Sequence, residues 1–323
     1  MAGGQERALR RRIRSVQSTK KITKAMELIA ASQIVRSLTR VSANRPYWKG
    51  MARLVVEAAK GDPEAAQRLL GEPEARANVA VLAIAADRGL SGPYNSSVLR
   101  TSERLVTSLS GEGAAVRLFT VGRKAQGYFR FRRLPVEQAF TGMSERPAWA
   151  DAQRVAAAVS QPFITGEVDQ VLLVSTRYRS AGSQVVETRQ LLPLPEPAQA
   201  PAPSPGVEGP VTGLVAAGTV AATAAAGAGT GGGGYTEFEP DVETLLRQLA
   251  PRAVESEIFT ALLEGAASFF TAQQRAMAAA SDNADELVRT LTRVMNRARQ
   301  DAITTEIMEI VGGAEALRQS KGA

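Results

Sequence analysis

Two of the residue types that most often carry bond chemistry, histidine and cysteine, are absent from the 323 residues. Their absence excludes Ser-His-Asp and Cys-His catalysis, thiolate zinc sites, disulfides and thiol redox switching. Hydroxyl, carboxylate, lysine and arginine chemistry remain. The segment Asp87–Asn95 (DRGLSGPYN) invites a phosphate-cradle reading, because two glycines follow an apolar run. Gly89 and Gly92 are its only glycines, whereas the dinucleotide fingerprint needs three, the first two separated by a single residue. A structural turn at a strand end is the expected reading. No GxxxxGK(S/T) phosphate loop occurs anywhere in the chain. The acidic run Asp282–Asn283–Ala284–Asp285–Glu286 lacks the EF-hand spacing and reads as a solvated helix face. Asp301, Glu306 and Glu309 are strung along a helix with no nucleophile beside them. No catalytic, cofactor or metal site is expected.

The basic residues are more informative. Residues 1–40 hold ten Lys/Arg against two Glu, a net of +8, and the other 283 residues sum to −1, giving the chain's +7. A basic segment of this kind seeks an acidic protein surface, an acidic membrane surface or nucleic acid. It is no signal peptide, since no apolar stretch follows the arginines. Aromatic residues are absent before Tyr47, which disfavours stacking on single strands. An arginine face along a duplex and a seat on an acidic protein both stay open on composition alone.

The elements that carry these residues are of two kinds. From Gln5 to Asn44 there is neither proline nor glycine. Apolar residues recur in three- and four-residue steps at Leu9, Ile13, Val16, Ile22, Met26, Ile29, Leu38 and Val41. The stripe is interrupted at Gln17–Lys21, so the heptad reads as imperfect. Pro46 is expected to break or kink this helix, which ends at Gly61–Asp62–Pro63. A second long helix begins after Asp241. Its stripe runs through Val254, Ile258, Leu262, Leu287, Leu291, Val294, Ala298, Ile303, Ile307 and Ile310. Gly312–Gly313 reads as its stop. Between the two helices the pattern changes. Val79–Ala85, Ala115–Val121 and Val171–Thr176 are short apolar runs of the buried parallel-strand type. Helical stretches alternate with them, which argues for an α/β domain with a largely parallel sheet.

The expected organisation is therefore an N-terminal helix over 1–61, an α/β domain over 77–195, a low-complexity insert over 196–235 and a C-terminal helix over 241–318. Seven of the sixteen prolines fall between Pro193 and Pro210. The nineteen uncharged residues Val211–Gly229 are Ala, Gly and Thr with few strong apolar side chains, so a bilayer span is rejected. The insert reads as a flexible surface segment. Sixty helical residues extend about 90 Å, whereas a domain over 77–195 is only about 35 Å across. The economical arrangement pairs the terminal helices antiparallel, leaving Met308, Ile310 and Val311 at an apolar end that implies an enclosing partner.

Several segments match one family in order along the chain. Ile13–Ser32 (IRSVQSTKKITKAMELIAAS) and Asn296–Ala314 (NRARQDAITTEIMEIVGGA) resemble the two signature ends of the F-type ATP synthase gamma subunit. DRGLSGPYN at 87–95, VGRKAQGYF at 121–129, QLLPL at 190–194 and SDNADEL at 281–287 resemble its internal landmarks. The resemblance implies a fold: an antiparallel coiled coil of terminal helices plus a Rossmann-like α/β middle domain. It implies a function without bond chemistry or cofactor, that of a central rotor shaft. Its partners would be a ring of three alpha and three beta subunits, the epsilon subunit and the membrane c ring. It would sit peripherally at the cytoplasmic face of a bacterial plasma membrane, touching membrane only through the c ring, with nucleic acid no partner. Arg299, Gln300 and Thr304 match family positions that grip a loop of beta or alpha. Lys21, Lys24 and Met26 match the stretch that faces an acidic lever of beta. Small residues such as Ala276 and Ala278–Ala280 would ease rotation in a sleeve.

Three departures accompany the match. Ser91 and Pro93 stand where the family usually has Cys and a small residue. Phe269 and Gln273 replace a usual Glu and Arg, leaving Arg275 as the nearest basic side chain for that contact. The insert has no general counterpart, and without cysteine it lacks the regulatory thiol pair of some photosynthetic relatives.

Overall fold

The computed structural model describes residues 2–61, 77–194 and 242–320. The insert expected over 196–235 lies outside the described residues. The described elements are, in order, α1 (Ala2–Gly61), β1 (Asn78–Ile84), α2 (Tyr94–Gly111), β2 (Ala115–Val121), α3 (Arg123–Phe131), β3 (Gln138–Phe140), α4 (Trp149–Ile164), β4 (Gln170–Tyr178), β5 (Gln184–Leu192) and α5 (Val242–Ser320). They fall into two compact units. The first comprises Met1–Ile34, Leu90–Gly92 and Phe270–Ala323, and the second Val35–Gly89 and Pro93–Phe269.

The second unit is built on a five-stranded sheet of order β3-β2-β1-β4-β5. β1 pairs in parallel with β2 and β4, β2 pairs in parallel with β3, and β5 returns antiparallel to β4. The continuous apolar run of β1 follows from this position, because both its faces are covered. Ala80, Leu82 and Ile84 pack with Val155 and Val159 of α4 and with Ile258 and Leu262 of α5. Val79, Val81 and Ala83 pack with Val98 and Val106 of α2 and Phe129 of α3. Truncating a fully buried member such as Leu262 to Ala would cost about 2–5 kcal/mol. β3 and β5 are additions to the three strands that sequence pattern identifies. Three residues are too few to show a period, and β5 carries Gln, Glu, Thr and Arg with only part of its length buried.

α1 and α5 also pair within this unit. Asn44 Nδ2 donates to Thr260 Oγ1 at 2.8 Å, and Trp48 Nε1 donates to Glu257 Oε2 at 2.5 Å. One number rises as the other falls, so the helices run antiparallel. Trp149 stacks edge-on between Tyr47 and Phe259, with ring centroids 5.6 and 5.2 Å away. These contacts explain why Pro46 does not break α1, contrary to expectation. A proline inside a helix costs about 3 kcal/mol, and here the exposed ring lies between anchors at Asn44, Tyr47 and Trp48. Pro251 likewise lies inside α5, and Gly312–Gly313 does not end it.

In the first unit the heptad is more regular than the apolar residues suggest. Leu9, Ile13, Val16, Lys20, Thr23, Glu27, Ala30 and Ile34 advance in alternating steps of four and three, and none of them is exposed. The seam does not lapse at Gln17–Lys21; it passes through polar residues. Ile22 and Ile29, expected in the stripe, are about 60% exposed. On α5 the inward row is Met277, Ser281, Ala284, Val288, Leu291, Met295, Ala298 and Ala302. Leu287 and Val294 face outward, and Ile303, Ile307 and Ile310 lie in 303–314, where every residue of α5 is exposed. The polar seam members meet one another. Lys20 Nζ bonds Asp285 Oδ1 at 2.6 Å, and the Thr23 and Ser281 hydroxyls lie 2.7 Å apart. The helices again run antiparallel. Asp285 is thus part of the seam rather than of a wholly solvated acidic face.

Gly122, between β2 and α3, is the tightest backbone position. Its φ is 96°, and an added Cβ would lie 2.4 Å from the Ala85 carbonyl oxygen. The obstacle is main chain of the central strand's exit, which has no side chain to swing aside. Gly122→Ala should destabilise the chain by about 3 kcal/mol in urea titration. Gly127→Ala, in α3 with open space around it, should be neutral or stabilising by up to about 1 kcal/mol. Equal effects would contradict the assigned strain.

Candidate subunit interface

The turn after β1 is the first place to look for a ligand, and its polar groups are already engaged. The Asp87 carboxylate accepts from the amides of Arg123, Gly142 and Ser144 at 3.0–3.3 Å and from the Ser144 hydroxyl at 2.7 Å. It therefore occupies the N-terminus of α3, where an anion would otherwise be attracted. Asn95 accepts from the Ala86 amide and donates to the Arg88 carbonyl, closing the turn. The structural-turn expectation holds. Burial works to raise the Asp87 carboxyl, but the Gly142 amide, the Ser144 hydroxyl and the other amides outweigh it and hold the group below the usual aspartate range. Further along, Gly92 has a φ of 53°, and a Cβ there would lie 3.9 Å from the Ala276 methyl. Ala276 is small because this turn packs on it. That reason was not visible in the sequence.

Among the described residues no group of three or more His, Cys, Asp or Glu could hold a metal ion. No helix of the described residues is long and apolar enough to cross a membrane.

All seven residues expected at a subunit interface fall in the first unit. Arg299, Gln300 and Thr304 are exposed on α5, within about one and a half turns of each other. The Thr304 hydroxyl donates back to the Gln300 carbonyl at 3.0 Å, while the side chains of Arg299 and Gln300 bond to no described residue. Lys21 is exposed, Met26 is half-buried, and Lys24 is exposed but bonded to Glu27 at 2.9 Å. Arg275 is exposed, on the Ala-rich stretch of α5. The basic charge of α1 is partly answered inside the chain, through Glu6–Arg10, Glu27–Lys24 and Asp285–Lys20. Lys20, next to the expected Lys21, carries the cross-helix pair, a distinction that requires the seam register.

The outward apolar residues form the most conspicuous surface of this unit. Met308 and Ile310 are about 70% exposed, and Ile303, Ile307 and Val311 are about half exposed. Ile22, Leu28 and Ile29 do the same on α1. Exposed apolar side chains thus lie on both helices of this unit, while polar pairs sit within its seam.

Comparison with known proteins agrees. The ATP synthase family profile matches residues 5–317. The ATP synthase gamma chain of Frankia casuarinae is 45% identical over 323 residues, covering 97% of this chain and 98% of its own. That of Parafrankia sp. is 46% identical over 318 residues with the same coverage. Among solved structures, a chain of the Euglena gracilis mitochondrial ATP synthase OSCP/F1/c-ring assembly superposes with a TM-score of 0.64 at 16% identity, covering 99% of this chain and 97% of that one. A chain of the Tetrahymena thermophila central stalk/c-ring structure gives 0.56 at 22% identity, covering 80% and 99%. The chain belongs to the ATP synthase gamma chain family, and the antiparallel terminal helices with a central sheet are that family's fold.

The turn geometry makes a direct prediction. Asp87 has its carboxyl held low in the folded chain, so its contribution to stability is present above the ordinary aspartate value near 3.8 and is lost as pH falls through the lower folded value. Asp87→Asn removes an acceptor from a half-buried cluster of donors and should cost about 1–3 kcal/mol at pH 7. Urea titrations at falling pH should show this gap narrowing below pH ~4. A gap unchanged with pH would contradict the assignment.

Proposed function

We propose that the chain is the central shaft of an F-type ATP synthase, carrying torque between a membrane c ring and the ring of alpha and beta subunits. It has no bond chemistry of its own to perform. The observation that carries this reading is the exposed isoleucine and methionine cluster at the end of α5, on a chain 45–46% identical to gamma chains of Frankia casuarinae and Parafrankia sp.. A sleeve of other subunits is the environment in which such a face is buried. In this reading 1–61 and 241–318 form the shaft, 77–195 the body near the c ring and the epsilon subunit, and 196–235 an accessory insert. The complex lies peripherally at the cytoplasmic face of the plasma membrane.

Torque needs stiffness along the shaft and a few polar grips at its surface. The seam supplies the first. Arg299 and Gln300 are suited to the second, since they are exposed and bond to no described residue. A guanidinium offers a planar fork to a carboxylate, and a carboxamide offers both donor and acceptor. Lys21 and Lys24 would face an acidic lever of beta, with Met26 packing beneath them. Arg275 would be the remaining basic contact.

A tagged chain expressed in its own cells should bring down alpha, beta, epsilon and c subunits. Recovery without them, bound to nucleic acid, would overturn the reading. Within the assembled complex, Gln300→Ala should leave subunit yield unchanged and slow ATP hydrolysis by up to about tenfold, the loss of one hydrogen bond made at a particular angle. Undiminished turnover would remove the assigned grip.

A further inference from the structure

A cluster of charged side chains lies inside the second unit, where α5 packs on β4 and β5, and the rotor reading makes no use of it. Arg189 of β5, only 9% exposed at its side chain, bonds Glu257 of α5 and reaches Ser175 of β4 at 3.3 Å. Trp48 of α1 donates to the other oxygen of Glu257. Arg177 of β4, 7% exposed at its side chain, bonds Glu187 of β5 at 3.4 Å, and Arg179 joins Glu187 from the surface at 2.8 Å. Both buried guanidiniums are thereby committed to Glu187 and Glu257.

Glu264 is the third carboxyl of this cluster. It is buried, and its Oε2 accepts no hydrogen bond from any described residue. Two further buried polar atoms near it in the fold have no described partner. One is the hydroxyl of Ser268, one turn along α5 on the same face, and the other is Nε of Arg189. Next to Glu264, Gly265 faces the Tyr94 hydroxyl of α2, which an added Cβ would approach to 3.2 Å. Tyr94 is itself pushed well above the ordinary phenol range by burial, so it stays neutral. The charged groups acting on Glu264 are therefore two spoken-for arginines and the carboxyl groups of Glu257 and Glu187.

We propose that Glu264 is a proton-binding site, occupied while α5 is seated on the sheet and emptied at the expense of that seating. A neutral acid is the form that suits the place, because its O–H can donate in an interior where a bare carboxylate would be buried beside two partly buried carboxyl groups. Burial pushes the group up to about 7; Arg189 and Arg177 oppose the rise, and Glu257 and Glu187 add to it. The folded value lies above the ordinary glutamate value, so the stability it contributes is full below pH ~4.5 and is lost as pH rises through about 7. The α5 seat is thus firm in acid and looser in alkali. In a torque shaft this would make the stiffness between helix and body depend on pH, a consequence that rests on the function proposed above; the site itself does not.

Infrared difference spectroscopy of the purified full-length chain reads the site directly. A protonated-carboxyl carbonyl band should persist to neutral pH, disappear with a midpoint near 7, and be missing from Glu264→Gln. A band that is lost with the ordinary carboxyls near pH ~4.5, or that survives in Glu264→Gln, would overturn the proposal. Glu257→Gln removes a negative charge and keeps an oxygen to accept from only one of Arg189 and Trp48, so it should lower the midpoint; an unmoved midpoint would refute the cluster. Hydrogen exchange of the amides over 258–268, corrected for intrinsic rate, should quicken as pH rises from ~4.5 to about 7 and level off above it in the wild-type chain, and stay level throughout in Glu264→Gln. Identical profiles would show that the proton does not control the seat.

Discussion

Everything else in the molecule depends on one seam between the two ends of the chain. Helices of 60 and 79 residues gain little from propensity alone. They persist because within each unit part of one helix packs on part of the other. In the first unit the inward row is short of large apolar residues. Lys20, Thr23, Glu27 and Ala30 hold positions where a coiled coil usually has Leu or Ile, opposite Met277, Ser281 and Ala284. Pairing energy is given up there, since a half-exposed ion pair is worth about 0.2–1 kcal/mol. What the polar pairs contribute is register, because a slip of one turn would part Lys20 from Asp285 and Thr23 from Ser281.

The same choice frees the apolar residues for the outside. Ile22, Leu28 and Ile29 lie on the outer face of α1, and Ile303, Ile307, Met308 and Ile310 on the exposed end of α5, where a solitary protein would carry charge. A shaft turning among other subunits needs the reverse of an ordinary helix pair: specificity within and apolar surface without. The body follows the usual order. Its sheet is apolar on both faces over β1, and its buried charged residues, Arg177 and Glu264, lie where α5 meets β4 and β5. At the turn after β1 Asp87 neutralises the helix end and amides that could have bound a phosphate.

Sequence pattern made the architecture legible where local rules and tertiary structure agree. β1, β2 and β4 show as apolar runs, and the helices between them as periodic stretches. It misled where tertiary contacts overrule local rules. Pro46 sits inside a helix held on either side by Asn44 and Trp48, and Gly312–Gly313 lies within α5. The seam differs from the apolar stripe for a related reason: Ile22 and Ile29 are exposed, while Lys20, Thr23 and Glu27 lie along the seam. β5 escaped notice because an edge strand carries polar residues on a partly solvated face. The candidate interface residues were found through resemblance; composition and spacing alone left the basic helix open between protein and nucleic acid. Glu264 gave no signal at all, since a glutamate in a helix is unremarkable until its burial is known.

The absence of cysteine from the natural chain allows a direct test of the seam. A Thr23→Cys/Ser281→Cys double variant replaces two hydroxyls 2.7 Å apart. Under mild oxidation the full-length chain should close a single internal disulfide quickly and in high yield, whereas Thr23→Cys paired with Thr304→Cys should not. Failure of the first pair to close, or equal closure of both, would contradict the antiparallel register.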